Sequence, residues 1–201
     1  MSKRPTTVVL ASGNAGKLRE LGAMLDKLDI EVRPQSDFDA PEAEETGLTF
    51  IENSIIKARS ACLHCGLPSI ADDSGIEVDA LNGAPGIYSA RYAGPGADDQ
   101  KNNLKLVEAL KDVPPEERTA RYRACLVYMR HAEDPAPLIA EGVWEGLIID
   151  TPRGERGFGY DPYFLVPDLG KTGAELGAEH KNKISHRAKA LQILLKQLEK
   201  L

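Results

Sequence analysis

The chain has 201 residues, enough for one domain with a substantial core. Hydrophobic residues make up 42% and charged residues 28%, the balance of an ordinary globular protein. A formal charge of −6 argues against nucleic acid and anionic membranes as partners, so any phosphate must be handled locally, by a few placed donors or by metal ions.

Residues 6–11 read as a buried strand. The loop SGNAGK follows, and Asn14 or Ser12 can cap a helix whose Leu18, Leu21, Leu25 and Leu28 repeat at helical spacing. Residues 30–34 read as a second strand, which makes a βαβ unit with a parallel pair. Residues 35–48 form an acidic loop carrying Glu42, Glu44 and Glu45. Thr49 opens a second helix, with Glu52 completing a capping box and Gly66 near its end.

Residues 69–71 predict a short strand that runs into ADDSG, and 76–78 continue extended. The Gly- and Pro-rich stretch 82–96 reads as a structured loop, and 97–111 as a helix with Leu104, Val107 and Leu110 on one face. Residues 119–131 and 138–149 predict a hairpin joined by EDPAP. A glycine-rich loop covers 154–160, a short strand 163–166, and Ser185 caps a last helix with Ala188, Leu191, Leu194, Leu195 and Leu198 inward. Helices alternating with strands, then a hairpin, predict an α/β fold with a mixed sheet.

Several segments carry chemistry. GNAGK is not a P-loop: Ala11 stands where the first glycine of GxxxxGK[ST] belongs, and Leu18 where a hydroxyl should hold Mg²⁺. A strand feeding a glycine turn at a helix start nevertheless suits an anion, and Lys17 adds charge. Asp72 and Asp73 are adjacent on an extended segment, so they face opposite ways and take different jobs. Read alone, Asp-Asp-Ser-Gly is good turn chemistry; beside a phosphate loop, Mg²⁺ binding gains weight. Asn53 and Lys57 share a helix face. GFGYDP offers bare backbone and two rings to a planar ligand, while core filling is the default for such a ring. Lys181, His186 and Arg187 cluster at the last helix. Cys62, Cys65 and Cys125 cannot all pair within one chain, which suggests a reducing compartment, and CLHC has no second CxxC to complete a zinc site. No apolar stretch approaches the ~20 residues of a membrane span, and the start is too short in apolar residues for a signal peptide.

The ordered set SGNAGKLRE, EETGLTFIENSIIKA, ADDSGIEVDALNGAPGIYSARYAG, GFGYDPYF and KNKISHRAKAL closely resembles the inosine triphosphate pyrophosphatase family. The resemblance runs from about residue 7 to the last helix. It implies a single domain over residues 1–201: an elongated two-lobed α/β fold with a long mixed sheet flanked by helices and an active-site cleft between the lobes. It implies a cytoplasmic homodimer that uses Mg²⁺ to hydrolyse ITP, dITP and XTP to the monophosphate and pyrophosphate. By motif, Ser12, Gly13, Asn14, Ala15, Gly16 and Lys17 hold the triphosphate. Glu45 and Asp73 serve the metal, with Glu44 the competing ligand, and Asp73 is the proton acceptor. Asp72 and Lys57 belong to the same catalytic centre. Ser74, Phe158, Gly159, Tyr160, Asp161, Lys181, His186 and Arg187 bind the nucleotide. The rivals are a Maf-type pyrophosphatase acting on other nucleotides and a non-catalytic nucleotide sensor.

Overall fold

A computed structural model describes residues 6–25 and 30–200. The strands are β1 (Thr7–Ala11), β2 (Glu31–Pro34), β3 (Ser69–Val78), β4 (Thr119–Met129), β5 (Leu138–Ile148), β6 (Phe164–Val166) and β7 (Lys171–Thr172). The helices are α1 (Ala15–Leu25), α2 (Phe50–Cys65), α3 (Asp99–Ala109), α4 (Ala178–Ile184) and α5 (His186–Leu198). The strands form one sheet in the order β2-β1-β3-β4-β5-β6-β7. β1 is parallel to β2 and β3, whereas β6 is antiparallel to β5 and β7, so the sheet is mixed as expected. Among the described residues no helix is long and apolar enough to cross a membrane.

The chain divides into two compact units. The first comprises residues 1–73, 124–142 and 187–201; the second comprises 74–123 and 143–186. In the first unit, the period-2 alternation of strands sorts side chains between two cores. Val8, Leu10, Ile70, Leu126 and Tyr128 join Leu21 and Leu25 of α1 and Leu191, Leu194 and Leu198 of α5. Val9, Ala11, Ala71, Cys125, Val127 and Met129 join Ala58, Ala61 and Cys62 of α2. Small residues on α2 let that helix lie close to the sheet. It starts at Thr49, whose hydroxyl accepts from Glu52 N–H, and stops at Gly66, which is left-handed (φ +66°). Leu28, expected to extend the α1 stripe, lies outside the described residues.

The second unit packs around Tyr122, Trp144 and Phe164 with Ile76, Val78, Leu106, Leu110 and Ile148. β3 runs unbroken through residues 72–75, from the first unit into the second, so of the two readings of ADDSG the extended one holds. One expectation is corrected. On α3, Leu104 is exposed and the inward face is Asn102, Asn103, Leu106 and Leu110, because buried asparagines took positions that a count of apolar residues assigns to solvent. The 82–96 stretch contains a 3₁₀ turn at Gly86–Arg91, tied down by Ser89, whose hydroxyl donates to Gly86 O and accepts from Ile76 N–H.

Gly146 on β5 has no room for a side chain: a Cβ would lie 2.5 Å from both Leu165 O and the Phe164 ring. Gly146→Val is therefore expected to destabilise the protein by about 2 kcal/mol or more, the range for overpacking a tight core. Urea denaturation measures this, and an unchanged midpoint would contradict the packing described.

Candidate active site

Strand alternation does for the two aspartates what it does for the core. Asp72 shares its side of β3 with Ile70, toward α1 and α5; Asp73 shares its side with Ala71, toward α2. Each helix meets its aspartate with a cation. From α5, Arg187 Nε donates to Asp72 Oδ2 at 2.6 Å, and from α1, Lys17 Nζ lies 3.7 Å from the same oxygen. From α2, Lys57 Nζ donates to Asp73 Oδ1 at 2.7 Å and to Glu45 Oε1 at 3.1 Å. Both ammonium groups also donate to the main-chain carbonyl of Asp72, each at 3.0 Å. Three cations thus face three carboxylates within the first unit.

Burial alone would raise the Asp72 carboxyl; Arg187, Lys17 and Lys57 outweigh it and hold the group far below the usual carboxylate range. Burial raises Asp73 and outweighs the pull of Lys57. Lys57 stays firmly charged: burial lowers it, but Asp73, Glu45 and Asp72 prevail. Burial lowers Lys17, and its neighbours Lys57 and Arg187 push the same way against Asp72. Asp73 is braced through its backbone as well. Ser54 of α2, fully buried, accepts from Asp73 N–H at 2.8 Å and donates to Cys125 O at 2.7 Å. Nothing in the local sequence marks Ser54 for this task.

The loop before α1 is closed by its own side chains. Asn14 Oδ1 accepts from Gly16 N–H (2.8 Å) and Lys17 N–H (3.1 Å), and Ser12 Oγ accepts from Asn14 N–H (3.1 Å). Asn14 is therefore the helix cap, and those amides are occupied internally. Gly13 is a point of close approach, since a Cβ there would lie 2.0 Å from Glu42 Oε1. Gly47 is another: Asn53 Oδ1 accepts its N–H at 2.8 Å, closing the chain just after Glu45 onto α2. Glu44 is exposed, whereas Glu45 reaches Lys57.

Oxygen ligands for a divalent cation are available. Asp73 Oδ2 is buried and has no hydrogen-bond partner among the described residues, and Glu45 approaches the same lysine as Asp73. Among the described residues no group of three or more His, Cys, Asp or Glu side chains is arranged to hold a metal alone. Two carboxylates suit an ion that keeps waters and takes substrate phosphates for its other positions.

The second unit holds Ser74, Phe158–Asp161, Lys181 and His186. Asp161 is buried and accepts from Phe158 N–H (2.9 Å) and Lys181 Nζ (2.6 Å), and the lysine Nζ lies 5.0 Å from the Phe158 ring centroid. Gly157 and Gly173 make way for that carboxylate, whose oxygens would lie 2.1 and 2.8 Å from their Cβ atoms. Two expected roles change. The Tyr160 ring does not offer a face to a ligand: it is buried in the core, and its hydroxyl donates to Ser89 O at 2.7 Å. His186 is buried and stacked on Tyr122, with centroids 4.7 Å apart at 9°, so it packs the unit. Arg187, the next residue, belongs to the first unit and is engaged by Asp72. Cys62 is buried and contacts Ser69 Oγ at 3.1 Å, and burial raises its thiol.

This layout can be set beside known proteins. Residues 8–197 match the Ham1 family. The chain belongs to the Ham1 family. The dITP/XTP pyrophosphatase of Thioalkalivibrio sulfidiphilus is 60% identical over 192 residues, covering 96% of this chain and 98% of that one. The enzyme of the same name from Escherichia coli K12 is 58% identical over 191 residues, covering 95% and 97%. The structure of a HAM1 protein from Coxiella burnetii superposes with a TM-score of 0.90 at 49% identity, covering 97% and 99%. Ham1 membership bears out the resemblance drawn from the five motifs.

Arg187 and Asp72 are almost wholly buried, so removing one strands the other. Arg187→Met is expected to cost about 3 kcal/mol at neutral pH, as for broken buried pairs. Because Asp72 is depressed in the folded state, its contribution is full above the unfolded carboxylate value of about 4 and is lost as pH falls below it. The deficit of Arg187→Met against wild type should therefore shrink below that pH. Urea denaturation across pH 3–7 tests this, and a pH-independent deficit would contradict it.

Proposed function

We propose that this protein hydrolyses the triphosphates of deaminated purine nucleosides, ITP, dITP and XTP, to the monophosphate and pyrophosphate. The observation that carries the reading is Asp73: a buried carboxylate anchored by Lys57 through one oxygen, with the other oxygen lacking a hydrogen-bond partner among the described residues. The names of the bacterial relatives support it, as does their coverage of nearly the whole chain. Mg²⁺, a homodimeric state and a cytoplasmic location belong to the same proposal, as does a single domain over residues 1–201.

Glu45 and Asp73 would hold the cation, with Asp73 Oδ2 the available oxygen. When bound, Mg²⁺ acidifies water and offsets charge on the phosphates. Asp73 orients the attacking water and takes its proton, and burial that raises the carboxyl makes it a better base. Lys57 fixes Asp73 and Glu45 in register. Lys17 meets the phosphates, helped by the hydroxyl of Ser12. Arg187 acts through Asp72, whose carbonyl aims both lysines. Negative charge developing on pyrophosphate is stabilised by ammonium groups already in place.

The base falls to the second unit. Hypoxanthine and xanthine carry an oxygen at C6 where adenine carries an amine. Donors from the Lys181–His186 segment welcome the first and leave a donor unpaired against the second, at about 1–3 kcal/mol. Phe158 supplies stacking that any purine can use.

Pyrophosphate release from ITP and XTP is expected to exceed that from ATP and GTP. Release from none would favour a sensor, and preference for other modified nucleotides a Maf-type enzyme. Asp73→Asn is expected to lower kcat by at least ~10²-fold, the low end for a positioned general base. Near-normal turnover in that variant would remove Asp73 from its role.

A further inference from the structure

The inner face of α3 is unusual in placing two buried asparagines, Asn102 and Asn103, one turn before Leu106. Asparagine is a mediocre helix former, and a buried amide needs partners. Asn103 Nδ2 donates to Gly159 O at 2.9 Å and to Asp99 O at 2.8 Å. Asp99 completes the contact from one turn earlier: its Oδ2 accepts from Gly159 N–H at 2.7 Å. Both main-chain polar groups of Gly159 are thus taken by one helix.

Asp99 is not needed to start that helix. Asp98 does so, accepting from Lys101 N–H at 2.8 Å. Of two adjacent aspartates, one caps α3 and the other reaches out to the loop. Gly159 itself is left-handed (φ +62°) with nothing within 4 Å of a Cβ, so its conformation, not its space, is what the clamp preserves. On either side the loop is held by its own contacts, Phe158 N–H on Asp161 and Tyr160 Oη on Ser89.

We propose that Asp99 and Asn103 are positioning residues for purine recognition, holding the backbone on both sides of Gly159 so that Phe158 meets the base in a fixed pose. The inference rests on the reading of 158–161 as the base-binding loop. It predicts a separation of effects, because the groups assigned to the chemistry lie in the other unit. A loosened loop weakens base binding in ground and transition states alike, which raises KM and spares kcat.

The experiment compares wild type, Asp99→Ala and Asp99→Asn with ITP, and measures inhibition by inorganic tripolyphosphate, which has no base. Asp99→Ala is expected to raise KM about tenfold, the scale of a lost charge-assisted hydrogen bond, and to leave kcat within about twofold. The inhibition constant of tripolyphosphate should not move. Asp99→Asn keeps an acceptor oxygen and should restore most of the affinity. If Asp99→Ala does not fold, Asn103→Ala gives the same readouts with a KM rise of about threefold. An unchanged KM, parallel losses in kcat and tripolyphosphate binding, or Asp99→Asn as impaired as Asp99→Ala would overturn the clamp. A wild type that releases no pyrophosphate from any deaminated nucleotide would instead overturn the functional reading beneath it.

Discussion

The buried charge of Asp72 is the constraint on which the first unit depends. A carboxylate removed from water is tolerated only with cations at hand, and here α5 supplies Arg187 and α1 supplies Lys17. Those two helices also cover one face of the sheet with their leucines. The same packing that buries apolar surface therefore delivers the charges that let Asp72 be buried. Its main-chain carbonyl then becomes a fixed point on which both lysines converge.

Three close cations repel one another, and they are not equally compensated. Lys57 donates to the carboxylates of Asp73 and Glu45, and Arg187 Nε donates to Asp72 at 2.6 Å. Among the described residues, Lys17 Nζ lies 3.7 Å from the Asp72 carboxylate and donates to a neutral carbonyl. The downward pull on its proton affinity from burial and from two neighbouring cations is the sign of that deficit. Lys57, already satisfied, is better suited to holding Asp73 and Glu45 in place than to capturing anions.

Much of this was legible from residue order. Alternation along an extended chain separated Asp72 from Asp73 before any coordinates, and the same rule sorts Val8 from Val9 and Leu126 from Val127 into different cores. The capped second helix was readable from Thr49, Glu52 and Gly66, because caps are local chemistry. What stayed hidden was long-range polar pairing. Nothing local tells that Asp99 meets Gly159, sixty residues on, or that Ser54 braces Asp73. ADDSG alone suits a turn as well as a strand, and the cations that meet its two aspartates come from distant helices. The inward asparagines of α3 misled a count of apolar residues, since their burial is justified by partners in other loops.

The same distinction explains why the aromatic loop gave mixed returns. Phe158, Tyr160 and His186 are all rings near a predicted nucleotide site, yet only packing context separates them. Tyr160 is drawn into the core by a hydroxyl that finds Ser89 O, and His186 by a parallel stack on Tyr122. Phe158 remains half-buried beside Lys181, whose charge is itself pinned by Asp161. A cation near a ring would compete with a purine for the ring's face if it could move. Asp161 holds it still, and Gly157 and Gly173 leave space for that carboxylate alone. The two acidic hubs thus work alike: Asp72 and Asp161 are buried, and each immobilises a cation, Arg187 in the first unit and Lys181 in the second.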